Sequence, residues 1–199
     1  MSPITHLLAS WAVAAKTTDN PHDCRLVTLA GLAPDLDGLG LAIDLVKNIG
    51  APTASFYYYQ QYHHYLLHGI TGAAAVALLC AALARNRWRV FVFALFTFHL
   101  HLLCDFVGSR GPEPTDLWPI FYFGPFSAYP MWLWRGQWKL HGWQNQLFSV
   151  LLLAWSFRFA TLHGHSFVRI LNKRTDTVFV ATLRKWRNQI AARWRPGNA

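Results

Sequence analysis

Residues 90–107 read VFVFALFTFHLHLLCDFV, and the fold class turns on this run. It approaches the roughly 20 residues that a 30 Å hydrocarbon slab requires, yet Thr97, His99, His101 and Asp105 interrupt it. Removing an ionisable side chain from water is costly unless something compensates, so ionisable groups inside such a run mark a functional site. His101 and Asp105 are four residues apart and project from one helix face, the spacing of paired ligands of a single site. His99 lies about 200° round the helix from His101 and faces elsewhere.

Two further runs have the same character. Residues 66–84 are apolar except for His68 and Thr71, and 146–162 form a third candidate span in which Arg158 can snorkel to an interface. The runs 4–15 and 26–33 are too short to cross alone and read as half-membrane helices or a re-entrant hairpin. No basic segment precedes the first run, which therefore does not read as a cleaved signal peptide. With 199 residues, 53% hydrophobic and only 14% charged, the chain can bury one domain but has too little charge to cover a soluble one. The expectation is an all-α integral membrane helical bundle over residues 1–165, with short N-terminal half-membrane helices, followed by a basic amphipathic cytoplasmic tail over 166–199. Three cysteines without C-x-x-C spacing provide neither a disulfide framework nor a zinc finger.

Basic residues orient this bundle. Arg85, Arg87 and Arg89 fill the connection between the first two spans, and the tail carries Lys173, Arg174, Arg184, Lys185, Arg187, Arg193 and Arg195. The positive-inside rule assigns both to the cytoplasm. His68, His101 and Asp105 then fall at the opposite, outer end. If Lys16 and Arg25 mark an inner turn, His6, Asp35 and Asp37 arrive there too. The net charge of +9 sits at the inner helix ends and in the tail, where Phe179, Leu183, Trp186, Ile190 and Trp194 alternate with arginines at near-helical spacing. That pattern suits anionic headgroups of a bilayer better than nucleic acid.

Other assignments stay open at this level. His64 and His68 are four apart, whereas His63 and His68 point about 140° from each other on an ideal helix, so helical spacing favours His64. Asp35 and Asp37 cannot share a helix face, but Pro34 and Gly38 bracket them as a turn that could aim both into one cavity. His22 with Asp23 reads as a solvated turn, and His141 and His163 as hydrogen-bonded packing residues. Phe56 to Tyr59 and most tryptophans read as an interfacial belt, with substrate stacking by Trp118, Trp134 or Trp138 as the alternative.

The segments SPITHLLASWAVA (2–14), LAGLAPDLDGLG (29–40), HHYLLHGITGA (63–73), HLHLLCDFVGSRGP (99–112), LWPIFYFGPFS (117–127) and GQWKLHGWQNQ (136–146) together resemble the YdjM-like family of bacterial inner-membrane, metal-dependent hydrolases. The resemblance covers residues 1–160, and PDLD and H-x-x-x-D are its specific parts. It implies ligands at His6, Asp35, Asp37, His68, His101 and Asp105. The family's third block usually reads H-R-x-x-T-H-S, which sets its first histidine at His63, puts His64 where arginine is common and Gly69 where serine is common. Both His63 and His64 therefore remain candidates.

A single catalytic zinc takes three protein ligands, and this set exceeds that number. The excess points to two or more ions roughly 3.5 to 4 Å apart, able to activate a water and clamp a phosphorus or carbonyl centre. Histidine ligands favour zinc, with manganese the second choice and one to three ions the range. The expected activity is hydrolysis of an ester or phosphoester in a lipid or lipid-linked substrate at the inner membrane, with Asp35, Asp37 and His68 as catalytic groups and Arg110, Arg135 and Lys139 as cationic substrate contacts. A structural metal site without catalysis, or an ion- or proton-coupled transporter, are the competing readings; no internal repeat favours the transporter. G-x-S-x-G and P-loop motifs are absent.

Overall fold

A capping side chain and a proline start each of the first two helices. In the computed structural model, Ser2 accepts a hydrogen bond from the Thr5 amide ahead of Pro3, opening α1 (Pro3–Thr17). Asn20 accepts from His22 and Asp23 amides ahead of Pro21, opening α2 (Pro21–Ala30). Both side chains satisfy donors that a helix start leaves unpaired, and the prolines give up an amide that had no partner to lose. The structure describes residues 1–193 except Pro52 and Ala54. A 3-10 helix, Ala33–Leu39, leads into α3 (Gly40–Lys47), followed by α4 (Tyr57–Tyr62), α5 (Ile70–Leu83) and α6 (Arg87–Gly108). A two-stranded antiparallel ribbon, β1 (Ile120–Phe121) with β2 (Met131–Trp132), precedes α7 (Trp143–His163), a 3-10 turn Phe167–Ile170 and α8 (Lys173–Arg193). The chain is mostly helical, as its sequence pattern indicates.

Small residues fill the cluster shared by the first helices of the bundle. Ala14, Ala30, Ala77 and Ala94 let α1, α2, α5 and α6 approach closely around Val27 and Val90. Trp11 and Phe98 are buried in neighbouring clusters, whereas other large residues face outward: Leu78 is 61% exposed, Phe96 55% and Val150 60%. This arrangement is the packing logic of helices in lipid, where close backbone approach replaces hydrophobic burial as the source of cohesion.

Of the three expected spans, the 22-residue α6 is the one helix among the described residues that is itself long and apolar enough to cross a bilayer. α2 and Ala33–Lys47 pass the same test together, with a 51° bend between them. α5 has only 14 residues, because Gly69 ends the helix on its N-terminal side with an extended backbone (φ −149°, ψ −178°). The Ile70 amide donates to the Tyr122 carbonyl at 2.8 Å, and a Cβ on Gly69 would collide with that carbonyl. α7 is long enough, at 21 residues, but not apolar enough.

Asp23 departs from its expected solvated turn. It is 1% exposed and accepts the Arg85 and Asn86 amides at 2.8 and 2.9 Å, tying α2 to the α5–α6 connection. At the same end of the bundle, α8 packs through Val180 and Leu183 against Ala160 of α7. From Arg184 onward its described residues are exposed on all sides. Trp194 and Arg195, counted with the tail, lie outside the described residues. Replacing Asp23 with Ala removes the charged acceptor of two part-buried hydrogen bonds, an expected loss of about 1–3 kcal/mol; thermal unfolding in detergent measures it, and an unchanged midpoint would show that the clamp contributes nothing.

Candidate metal centre

Asp105 sits one turn before the C-terminal end of α6, 2% exposed. Four histidines from three stretches of chain surround it. His101 Nε2, one turn earlier on α6, lies 2.9 Å from Asp105 Oδ2; His6 Nε2, from the first turns of α1, lies 3.2 Å from Oδ1. His68 Nε2 and His64 Nε2, from the irregular segment before α5, approach Oδ2 at 3.5 and 3.9 Å. Asp35 Oδ1 lies 3.6 Å from His101 Nε2, and the His6 and His101 rings stack at 3.6 Å between centroids. The Met1 amino group pairs with Asp105 Oδ1 and reaches Ser109 Oγ at 3.2 Å.

The ring nitrogens are oriented from behind. His101 Nδ1 donates to the Gly31 carbonyl at 2.8 Å. A Cβ on Gly31 would collide with Ser10, so glycine lets the α2 end come this close to α1 and α6. His68 Nδ1 bonds Asp37 Oδ2 at 2.9 Å, and His63 Nδ1 bonds Asp37 Oδ1 at 2.8 Å. With Nδ1 holding the proton, the Nε2 lone pairs of His68 and His101 face the cluster. Asp37, expected as a ligand or bridge, spends both oxygens on these rings and on the Leu67 amide at 3.0 Å. It positions histidines and reaches the cluster around Asp105 only through them.

His6 Nε2, His68 Nε2, His101 Nε2 and Asp35 Oδ2 are buried without a hydrogen-bond partner among the described residues. The short approaches to Asp105 lack hydrogen-bond direction; the nitrogens and oxygens share a space instead of pointing at each other. Unpaired buried polar atoms are rare because each is costly. Nitrogen and carboxylate donors converging in this way fit a divalent cation. His6, Asp35, His101 and Asp105 each offer an atom within 4.8 Å of the others, and so do His63, His64 and His68 among themselves.

His63 and His64 both join the cluster, contrary to the preference that helical spacing gave His64. Residues 63–69 are not helical, and His64 itself has φ +67°, the left-handed region that non-glycine residues occupy at a cost and mostly near functional sites. Burial holds His64 neutral, its pKa well below the usual imidazole range, against the opposing pull of Asp105. His99 turns away, bonded to Leu95 and to Tyr122, and His163 stacks on Phe159.

A cavity of about 350 Å³ opens onto the cluster, reaching Asp35, His63, His64 and Asp105. Tyr59 and Trp118 line it. Tyr59 stacks on His63 at 4.7 Å, and Trp118 packs edge-on against His64 at 5.0 Å. Tyr59 had been counted with the interfacial belt; no spacing signal separated it from its neighbours in the Phe56–Tyr59 run. Burial first, then the carboxylates of Asp35, Asp105 and Asp37, push its pKa up to about 12, so its hydroxyl stays protonated. His141 also reaches the cavity.

The three cationic residues expected to contact substrate lie elsewhere. Arg110 and Lys139 line a neighbouring pocket with Gln137 and Trp138 that shares no lining residue with this cavity. Backbone pairing of Arg110 with Trp138 and Leu140 at 3.1 and 2.8 Å fixes that placement. Arg135 is exposed in the turn after β2 and lines neither cavity. Trp134 stacks on Phe106, away from the cluster.

The fold and site define a helical protein with a buried histidine–carboxylate centre at one end of the bundle. The family model described as YdjM inner membrane protein matches residues 1–181, and the chain belongs to that family of inner membrane proteins. No curated protein and no solved structure matches the chain. Replacing Asp37 with Asn leaves the Nε2 donors in place but weakens their orientation; affinity for a divalent ion should fall about 10–100-fold by titration calorimetry, and unchanged affinity would remove Asp37 from the site.

Proposed function

We propose that this chain is a multi-pass inner-membrane, metal-dependent hydrolase that cleaves an ester or phosphoester bond in a lipid or lipid-linked substrate. The observation that carries this reading is the set of unpaired, buried Nε2 atoms of His6, His68 and His101 around Asp105. His6, His101, Asp105 and Asp35 would hold one ion, and His63, His64 and His68 a second. The all-nitrogen and oxygen donor set favours zinc, with manganese next. When bound, such ions polarise the ester oxygen and lower the pKa of a water to near neutral.

The chain's own groups supply the rest. Asp37 holds the proton on His68 Nδ1 and so keeps the Nε2 lone pair aimed where the second ion would sit. The Asp35 side chain, 25% exposed, stands between the cluster and the cavity; with one oxygen on an ion, its other oxygen would take a proton from the attacking water and pass it to the leaving oxygen. The protonated Tyr59 hydroxyl offers a donor to charge that develops on the substrate. A cavity reaching Asp35 and Asp105 favours catalysis over a closed structural site, in which no position is left for substrate.

The positive-inside rule places Arg85, Arg87, Arg89 and α8 in the cytoplasm and the centre toward the opposite face. α8 then lies along the inner leaflet, where Trp186 and Ile190, exposed at 56% and 58%, meet the acyl boundary and its basic residues meet anionic headgroups.

Purified protein should carry zinc or manganese by elemental mass spectrometry, and His101→Ala or Asp105→Ala should lose it. A folded, fully metal-free wild type that takes up neither ion would contradict the proposal. Peptide 173–199 should bind vesicles containing phosphatidylglycerol and release them as salt rises; equal binding to neutral vesicles at every salt concentration would refute the electrostatic contribution.

A further inference from the structure

α3 is apolar on nearly every side and yet is not buried. Ile43, Leu45 and Val46 are exposed at 48%, 54% and 68%, and Leu36, Leu39 and Ile49 continue the same character at 56%, 63% and 81%. The one buried residue of α3 is Asp44, whose carboxylate accepts the Tyr58 and Tyr59 amides at 3.0 and 2.7 Å. Lys47 folds back to donate to the Tyr58 hydroxyl at 2.7 Å. Both ionisable groups of the helix are thus spent on α4, leaving a hydrocarbon exterior. A helix of this kind requires an apolar environment, and in an inner membrane protein the bilayer is that environment. The 51° bend makes α2 and Ala33–Lys47 a broken span or a re-entrant segment, and in both arrangements α3 lies against lipid.

Leu39 and Leu41 belong both to this exterior and to the wall of the cavity that ends at Asp35, His64 and Asp105. Continuity between the two surfaces lets an amphiphile slide from lipid to the polar centre without passing its chain through water. We infer that α3 lies in the bilayer and that the cavity takes its substrate sideways: a lipid whose hydrocarbon chain runs over Leu39 and Leu41 while its head reaches the histidines and carboxylates. The fate of the head rests on the hydrolase reading, whereas the path of the chain does not.

The test uses full-length protein in nanodiscs of phosphatidylethanolamine and phosphatidylglycerol, doped with phospholipid bearing a diazirine in its upper acyl chain. After illumination, peptide mapping should find adducts on Leu39 or Leu41 and, deeper in the cavity, on Tyr59 or Trp118. Leu41→Trp, which fills the mouth, should lose the Tyr59 and Trp118 adducts, while Val46→Trp, adding the same bulk outside the cavity, should keep them. Adducts confined to α6 residues such as Phe96 and Leu103, adducts on Val46 and Ile49 with none inside the cavity, or cavity adducts that survive Leu41→Trp would each overturn the inference. Labelling needs neither metal nor turnover. Cavity adducts in a protein that takes up no metal would sustain the chain path while defeating the hydrolase reading.

Discussion

A carboxylate buried in a helical bundle cannot stay uncompensated, and Asp105 organises the structure around that constraint. It is withdrawn from water, so an isolated charge there would cost several kcal/mol. Compensation arrives from α1 through His6, from the segment before α5 through His64 and His68, and from α6 itself through His101. The 3-10 turn after α2 supplies Asp35 and Asp37. Each stretch is bound to the others by this centre as well as by apolar packing, which combines one cluster of mostly small residues with others built on Phe98 and Trp11.

Much of the centre was legible because helix periodicity is rigid where a helix exists. His101 and Asp105 share a face, and His99 does not, as the 3.6-residue period requires. Opposition of the arginine loop to the ligands follows from helix direction alone, and α5 and α6 do bring His68 and Asp105 to one end. Periodicity failed over residues 63–69, where His64 adopts φ +67° and three histidines converge by a turn. A left-handed histidine leaves no mark in the sequence pattern, so the choice between His63 and His64 could not be made from spacing; the structure uses both. Asp37 was recognised as part of the site, but its service to two imidazole Nδ1 atoms depends on tertiary distances. The same holds for Asp23, whose partners are more than sixty residues away.

The relation of the chain to lipid is written more in its surface than in its helix lengths. α5 is too short to match the run 66–84, because Gly69 breaks it against the β1 ribbon. Leucines, valines and phenylalanines nonetheless cover the outside of α5, α6 and α7, and alanines line the contacts among α1, α2, α5 and α6. α3 carries this inversion furthest, next to the cavity. The centre thus lies where an apolar exterior and a polar interior meet within a few residues. Arg110 and Lys139 line a separate pocket and Arg135 lines neither, so in this arrangement the countercharge for an anionic substrate would come from the centre itself.

X-ray absorption spectroscopy on zinc-loaded, full-length protein addresses the convergence of these histidines and carboxylates on bound ions most directly. A shell of nitrogen and oxygen only is expected, with the multiple-scattering signature of at least two imidazoles that weakens when His6 or His101 is replaced by Ala. A shell containing sulfur from Cys24, Cys80 or Cys104, or an imidazole signature unaltered by both substitutions, would contradict it.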